Sequence, residues 1–234
     1  MNRSPVRLLA GVAVLAALAP AQVEPQVPPD KKLPLSPVAG KDQPRPADAR
    51  ALFAAFAKLP GLEATYEEEK HLALLAAPLK SRGRMLFLPP GYLARAVEAP
   101  EKSLLVITPD ELRIDGRDGR EVIDLKRSDR VRLFVTALVQ VFAGNEPVLA
   151  KSFTVDYALD ARSKTGWTLV LLPKEKALQQ MIKSMTLRGE GVAVTAVEVE
   201  DPNGDRTVTK IVTADANRTF DAAEKKRWFG IEPR

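Results

Sequence analysis

From Leu62 to about residue 213, apolar and polar residues alternate with a period of two, in short runs separated by turn-forming residues. This alternation is typical of strands that bury one face, and short connections favour antiparallel neighbours. The turns include a link between the first two strands near residues 78–83, Arg117-Asp118-Gly119 and the DPNGD segment that begins at Asp201. The pattern therefore predicts about ten or eleven antiparallel strands joined largely as a meander.

Two segments have helical rather than strand spacing. The first covers residues 47–58, follows a proline that suits a first helical turn, and ends before Pro60-Gly61. The second runs from Ser128, a suitable N-cap, to Phe142, and Gly144 is a suitable stop. Helices beside a long antiparallel sheet predict the α+β class.

The second predicted helix is apolar around most of its circumference. Its polar residues form only a narrow line, made of Arg132, Thr136 and Gln140. A helix that packs on one sheet face needs an apolar stripe over only part of its surface. This helix should therefore either be sandwiched inside the core or face an apolar ligand.

The N-terminal residues precede the predicted domain. Arg3 and Arg7, a short apolar run and small residues ending at Ala21 have the layout of a secretory signal peptide, residues 1–21. A membrane anchor is the alternative, but it would need about 20 apolar residues, and this run is shorter. Residues 22–46 hold seven prolines and no aromatic residue, which predicts a flexible tether. The folded domain should then cover residues 47–234 of an exported protein.

Composition argues against several classes of function. Because the chain has no cysteine, it has no disulfide framework, no thiolate metal site, no cysteine nucleophile and no lipid-bearing cysteine. When Arg3 and Arg7 leave with the signal peptide, 33 of the 35 basic residues remain against 30 acidic ones, a net charge of +3. This mild, interspersed charge gives no support to nucleic-acid binding.

The sequence contains no recognisable catalytic or metal-binding motif. His71 is the only histidine, and it lies beside glutamates without a nucleophile elbow, so we interpret it as a surface or rim residue. On a strand, Glu67 and Glu69 should share a solvated face, whereas Glu68 should share the face of Tyr66 and be partly buried. We predict a protein that is not an enzyme and that has no cofactor and no metal.

Five motifs follow one another along the chain. They are L-x-x-x-Y-E-E from Leu62, G-x-M-L-F-x-P-P-G from Gly83, P-E-K-S-L-L-V from Pro100, W-x-L-x-L-x-P from Trp167 and D-x-N-G-D-x-T from Asp201. Each is weak alone, but their order over residues 47–220 resembles the periplasmic outer-membrane lipoprotein carrier family, the LolA-like proteins. The resemblance implies a curved, incomplete antiparallel β-barrel with helices lidding its concave face.

The resemblance also implies a function. A LolA-like chain would bind the acyl chains of lipoproteins or other lipids in an apolar cavity and shuttle them across the periplasm toward the outer membrane. Its partners would be the acylated cargo, an inner-membrane donor protein and an outer-membrane acceptor protein. The missing cysteine favours a soluble carrier over the related lipid-anchored receptor. A lipid-sensing module on the same fold and, less favoured, an enzyme that acts on lipids are the alternatives.

Ten residues are candidates for the cavity wall: Tyr66, Met85, Phe87, Leu93, Leu105, Phe134, Leu138, Phe142, Phe153 and Val155. The alternative for each is ordinary core packing, and alternation alone does not decide which sheet face is concave. The corner Pro89, Pro90 and Gly91 departs from the family, because Pro89 stands where proteobacterial carriers have an arginine that holds the lid closed. Arg95 stands at an aromatic position of the family. The lid-locking interaction is therefore not carried over, and the cargo could equally be a glycolipid or another acylated molecule.

Overall fold

The structure, a computed structural model, describes Val38 and residues 40–232. The predicted signal peptide and most of the predicted tether lie outside the described residues. The strands are β1 (Leu62–His71), β2 (Leu79–Leu88), β3 (Tyr92–Ala99), β4 (Ser103–Ile107), β5 (Glu111–Gly116), β6 (Gly119–Asp124), β7 (Phe153–Leu159), β8 (Gly166–Pro173), β9 (Ser184–Glu190), β10 (Ala193–Glu200) and β11 (Arg206–Asp215). The helices are α1 (Ala49–Phe56), α2 (Asp129–Phe142), α3 (Glu146–Ser152), α4 (Lys176–Gln179) and α5 (Ala222–Phe229).

All 11 strands belong to one open antiparallel sheet, in the order β6-β5-β4-β3-β2-β1-β11-β10-β9-β8-β7. Neighbouring strands follow one another along the chain at every position but one. The exception is the middle of the sheet, where β1 pairs with β11 and Glu63 lies opposite Asp215. This open sheet with its helices confirms the predicted α+β class and the incomplete barrel.

Helices α1 to α4 pack on one face of the sheet, which we call the helix-covered face. Leu52 and Phe53 of α1, Leu149 of α3 and Leu178 of α4 are all fully buried in the same large apolar cluster. The two helices predicted from the sequence are α1 and α2. The α2 helix ends before Gly144, whose left-handed backbone (φ 64°) makes it the expected stop.

Helix α5 packs on the opposite face, and the sequence analysis missed it. Its Asp221 and Glu224 form a capping box, in which the backbone N–H of each residue donates to the side-chain carboxylate of the other. Trp228 and Phe229 of this helix are buried against the outward side chains of β2, β3 and β4, including Leu86. The short helix α3 was missed as well.

The folded part begins before residue 47. Val38 is buried, and the Arg45 guanidinium donates to the backbone oxygens of Asp160, Ser163 and Gly166 at 2.9, 2.7 and 3.2 Å. The last residues of the predicted tether are therefore attached to the domain. Further hydrogen bonds run from the Tyr157 hydroxyl to the Pro46 oxygen at 2.7 Å and from Val192 N–H to the Gly40 oxygen at 3.2 Å. Composition missed this attachment because it depends on individual contacts with distant strands.

The connection between β1 and β2 also lies earlier than predicted. The sequence suggested a link at residues 78–83, but β2 begins at Leu79, which pairs with Lys70 of β1. The polar residues of this stretch belong to strand β2: Lys80 and Arg82 are exposed, and Ser81 between them is partly buried.

None of the described helices is both long and apolar enough to cross a membrane.

Candidate functional site

A cavity of about 190 Å³ lies between the helix-covered face and the helices α1 and α2, which together form the lid. Seven of the ten predicted residues line it: Met85, Phe87, Leu93, Leu105, Phe134, Leu138 and Phe142. The rings of Phe87 on the sheet and Phe142 on the lid lie 5.7 Å apart, centroid to centroid. Lid and sheet therefore meet through apolar contacts, without a strand pairing that opening would break.

The wide apolar surface of helix α2 is covered on two sides, by the cavity and by the helices α3 and α4. Phe134, Val135, Leu138, Val141 and Phe142 face the cavity, while other parts of the helix contact α3 and α4. The helix therefore lies between the cavity on one side and α3 and α4 on the other; an apolar ligand against it stays a prediction. At the start of α2, Ser128 occupies the N-cap position, but its side chain makes no capping hydrogen bond.

Three predicted residues do not line the cavity, although they belong to the same face. The ring of Tyr66 is covered by the Arg95 guanidinium, 4.5 Å from the ring centroid. Phe153 and Val155 of β7 lie in the apolar cluster beneath the helices. Alternation places these residues on one face of the sheet, but it does not show where helices cover that face.

The far side of the cavity was missed by the sequence analysis. Strands β9, β10 and β11 contribute many of its wall residues, among them Met185, Leu187, Val197, Val199, Thr209 and Ile211. The alternating GVAVTAVEVE segment was the available signal. What the sequence did not show is that β11 pairs with β1, which brings these residues opposite β2 and β3.

The corner motif lies outside the cavity wall. Pro89, Pro90 and Gly91 connect β2 to β3, and the Pro89–Pro90 peptide bond is cis. None of the three lines the cavity.

The cavity wall contains a buried ion pair. Arg95 Nη2 lies 2.8 Å from Glu68 Oε2, and only 4% and 7% of the two side chains are exposed. The distance is that of an ion pair, although this N–H is not aligned as a regular hydrogen bond. Thr209 Oγ1 donates to the same carboxylate at 2.8 Å. The sequence marked Glu68 as partly buried, which is confirmed, but gave Arg95 no role in the site.

A glycine lies beside Tyr66 and next to the strand that carries Arg95. Gly83 lies between Tyr66 of β1 and Val97 of β3 in the sheet. A Cβ atom at this position would lie 1.9 Å from the backbone oxygen of Ala96 and 3.0 Å from the Tyr66 hydroxyl. A side chain at position 83 would therefore push β3 away from β2.

The Tyr66 hydroxyl is buried beside this glycine and has no hydrogen-bond partner among the described residues. Burial raises the pKa of Tyr66 to about 12, and the positive charge of Arg95 opposes only part of that rise. The phenol is therefore neutral at physiological pH, and it forms the apolar platform on which the guanidinium lies.

The remaining titratable candidates lie at the surface. His71 is partly exposed and lies 3.6 Å from Glu69, Glu67 is exposed, and Glu69 also pairs with Lys80 at 2.9 Å. In the described part of the chain, no group of three or more histidine or acidic side chains could hold a metal ion. The predicted rim position of His71 is thus confirmed.

The solved structures to which this chain is similar are distant in sequence. A LolA superfamily protein from Nitrosomonas europaea is 10% identical (75% of this chain, 96% of that chain, TM-score 0.43). A DUF1329 family protein from Desulfovibrio piger is 11% identical (76% and 96%, TM-score 0.43). A chain of the Pseudomonas aeruginosa MucA/MucB complex is 10% identical (76% and 60%, TM-score 0.41). No curated protein matches the sequence.

The family comparison covers most of the chain. Residues 41–228 match the family described as outer membrane lipoprotein carrier protein LolA-like. The match begins within the proline-rich segment, close to where the structure shows the chain attached to the domain, and it ends in α5. Members of this family are generally non-enzymatic carrier or binding proteins, and the fold is of a lipid-binding or carrier type. The open eleven-stranded sheet, the apolar cavity under its helical lid and the match over residues 41–228 show that the chain belongs to the LolA-like family.

Proposed function

We propose that the protein is a periplasmic carrier that holds the acyl chains of lipoproteins or other lipids in the cavity under α1 and α2. The cavity is the observation that supports this proposal, because apolar side chains from both the sheet and the lid enclose it. It is larger than the apolar cavities of about 150 Å³ that remain dry and bind small hydrocarbons. Each buried methylene would contribute about 0.8 kcal/mol, so affinity needs little polar chemistry.

Carrying also requires release. The lid contacts the sheet through side chains such as Phe142 and Phe87, so α2 can move away without breaking a ladder hydrogen bond. The signal peptide, residues 1–21, would deliver the chain to the periplasm. There it would receive cargo from an inner-membrane donor protein and pass it to an outer-membrane acceptor protein.

The first test is the identification of a bound lipid and of the residues that hold it. The mature protein is purified from a periplasmic extract and analysed by native mass spectrometry, followed by organic extraction. We expect an acylated species, whose head group distinguishes a lipoprotein from a glycolipid. A ligand-free mass together with no uptake of added acylated lipids would refute the carrier proposal.

Two substitutions on one helix give a matched comparison. Leu138 and Leu133 both belong to α2 and are both half-buried, but only Leu138 lines the cavity. Leu138→Gln places an unpaired amide against hydrocarbon and should weaken binding of an acyl probe by roughly tenfold. Leu133→Gln should bind the probe as the wild type does. Equal affinities of the two variants would show that the probe lies elsewhere.

A transfer assay separates a carrier from a lipid sensor. Labelled lipid is supplied in one population of vesicles, and its appearance in a second, physically separated population is measured with and without the protein. A carrier accelerates the transfer, whereas a sensor binds the lipid and leaves the transfer rate unchanged.

A further inference from the structure

The polar side chains of the cavity wall are gathered at one end. Among the 31 described residues that line the cavity, Glu68, Arg95, Thr207 and Thr209 are the ones with polar side chains. They are contiguous: Thr209 lies opposite Glu68 in the β1–β11 pairing, and Thr207 is two residues away on the same face of β11. The other end, near Leu59 and Phe56, is apolar. A molecule in this cavity therefore meets two different environments.

The distance between the two ends suits an extended chain. Leu62 and Glu68 of β1 both line the cavity, and six residue steps along a strand span about 20 Å. An extended ligand that lies along β1 thus has room for a hydrocarbon portion and a separate polar group.

Stability alone does not explain the buried pair. Two charges lose their hydration on burial, and replacing such a pair with apolar residues is often neutral or stabilising. Glu68 and Arg95 are nonetheless almost completely buried in the wall of an otherwise apolar cavity. Because Glu68 and Arg95 lie side by side, the cavity wall has its hydrogen-bonding groups at one place.

The charges at this end favour a neutral polar group. Glu68 already balances the charge of Arg95, and a second carboxylate beside it would be repelled. A carbonyl oxygen carries no net charge, and the donors at this end are the Arg95 guanidinium and the Thr207 hydroxyl. Lys70 follows on the same face of β1, but it does not line the cavity.

We propose that Arg95 and Thr207 donate to the ester or amide carbonyl of an acylated ligand, while Glu68, held by Thr209, positions Arg95; the hydrocarbon chain of the ligand extends toward Leu59 and Phe56. This inference rests on the proposed lipid-binding function and specifies the orientation and the chemical class of the ligand. A carbonyl at the apolar end would lose its hydration without compensation, so the polar end selects one orientation.

Displacement of a fluorescent naphthylamine probe from the full mature chain tests the subsite with four ligands of equal chain length. They are dodecane, methyl dodecanoate, N-methyldodecanamide and dodecanoate. The informative quantity is the ratio of ester or amide affinity to dodecane affinity, compared between the wild type and the double variant Glu68→Met/Arg95→Met. We expect this ratio to be roughly tenfold higher in the wild type, as a hydrogen bond to a charged donor allows.

Glu63 and Arg84 provide a second buried double variant as the control. Their charged atoms lie 3.7 Å apart, with 7% and 8% of the side chains exposed, and each also pairs with a second residue, Arg218 and Glu98 respectively. Neither residue lines the cavity. Glu63→Met/Arg84→Met should leave the ratio unchanged. An equal ratio in the wild type and the Glu68/Arg95 variant, or a gain for dodecanoate alone, would overturn the subsite. Failure of all four ligands to displace the probe would instead count against the lipid-binding function.

Photolabelling of the wild type tests the orientation and does not depend on a variant that must fold. A methyl ester with a diazirine at the far end of its chain is bound and irradiated, and the labelled peptides are identified by mass spectrometry. We expect label in residues 55–62. Label concentrated in residues 205–211 would show the reverse orientation and overturn the proposal.

Discussion

The Arg95 guanidinium lies between the Tyr66 ring and the Glu68 carboxylate, 4.5 Å from the ring centroid and 2.8 Å from Oε2. Glu68→Ala would leave this cation buried without its counter-charge. We expect the free energy of unfolding to fall by about 3–5 kcal/mol, measured by urea denaturation.

The neighbouring carboxylate and the double variant serve as controls for this change. Glu67→Ala alters an exposed side chain of the same strand and should change stability by less than about 0.5 kcal/mol. Glu68→Met/Arg95→Met removes both charges and should recover most of the loss. If Glu68→Ala were as harmless as Glu67→Ala, the pair would not be buried in solution.

Tyr66 should make stability fall at high pH. Its ordinary pKa of 10 rises to about 12 in the folded protein. Below pH 10 the phenol is neutral in both states. Between pH 10 and pH 12 the unfolded chain releases the proton while the folded chain retains it. Stability is therefore lost over this interval, by at most about 3 kcal/mol.

The comparison that isolates this effect is Tyr66→Phe. Unfolding in urea is followed from pH 8 to pH 11.5, and the variant should lose less stability than the wild type above pH 10. Because the hydroxyl has no hydrogen-bond partner among the described residues, Tyr66→Phe should cost little at pH 7. Identical pH dependence of the two proteins would contradict the raised pKa.

Gly83 should tolerate no side chain. A Cβ atom there would lie 1.9 Å from the Ala96 oxygen on the paired strand, so Gly83→Ala must separate β2 from β3 and disturb the Arg95–Glu68 contact. We expect a loss of at least about 2 kcal/mol. Gly91→Ala, whose Cβ would approach nothing closer than 4.0 Å, is the control and should be nearly neutral. The Tm of each variant, measured by thermal unfolding, should fall clearly for Gly83→Ala and stay near the wild-type value for Gly91→Ala.

Trp228 should matter for stability and not for ligand binding. It is fully buried under α5 on the face opposite the cavity, so Trp228→Ala should cost about 3–5 kcal/mol. The folded fraction should bind an acyl probe with wild-type affinity. Phe142→Ala, in the lid, should weaken probe binding instead. A large loss of affinity in Trp228→Ala would mean that the two faces of the sheet are coupled.

The fold was largely predictable because most of it depends on local patterns. Alternation and turn residues determine the consecutive pairings, so the strands and the two lid helices were correct. Helix α5 was also readable, since Asp221 and Glu224 have capping-box spacing, but the few apolar residues of the tail concealed it. The β1–β11 pairing depends on contacts between residues far apart in the chain, which local periodicity does not contain.

The cavity was only half predictable for the same reason. Side chains on β2, β3, β4 and α2 were identified because alternation and helical spacing place them on one face. Tyr66 lies on the same face but not in the cavity wall, because Arg95 covers its ring. A charge in the apolar alternation of YLARAVEA was the signal that Arg95 belongs to the interior, but its partner on β1 is visible only once the strands are paired.

The pairing of β1 with β11 also determines when the cavity can exist. The strands before and after α2 can form two separate sheets from neighbouring hairpins, while the central pairing joins residues about 150 positions apart and must form slowly. A nascent chain that still lacks its last strand has two half-walls and no enclosed space between them. The enclosed cavity therefore forms only after β11 has paired with β1.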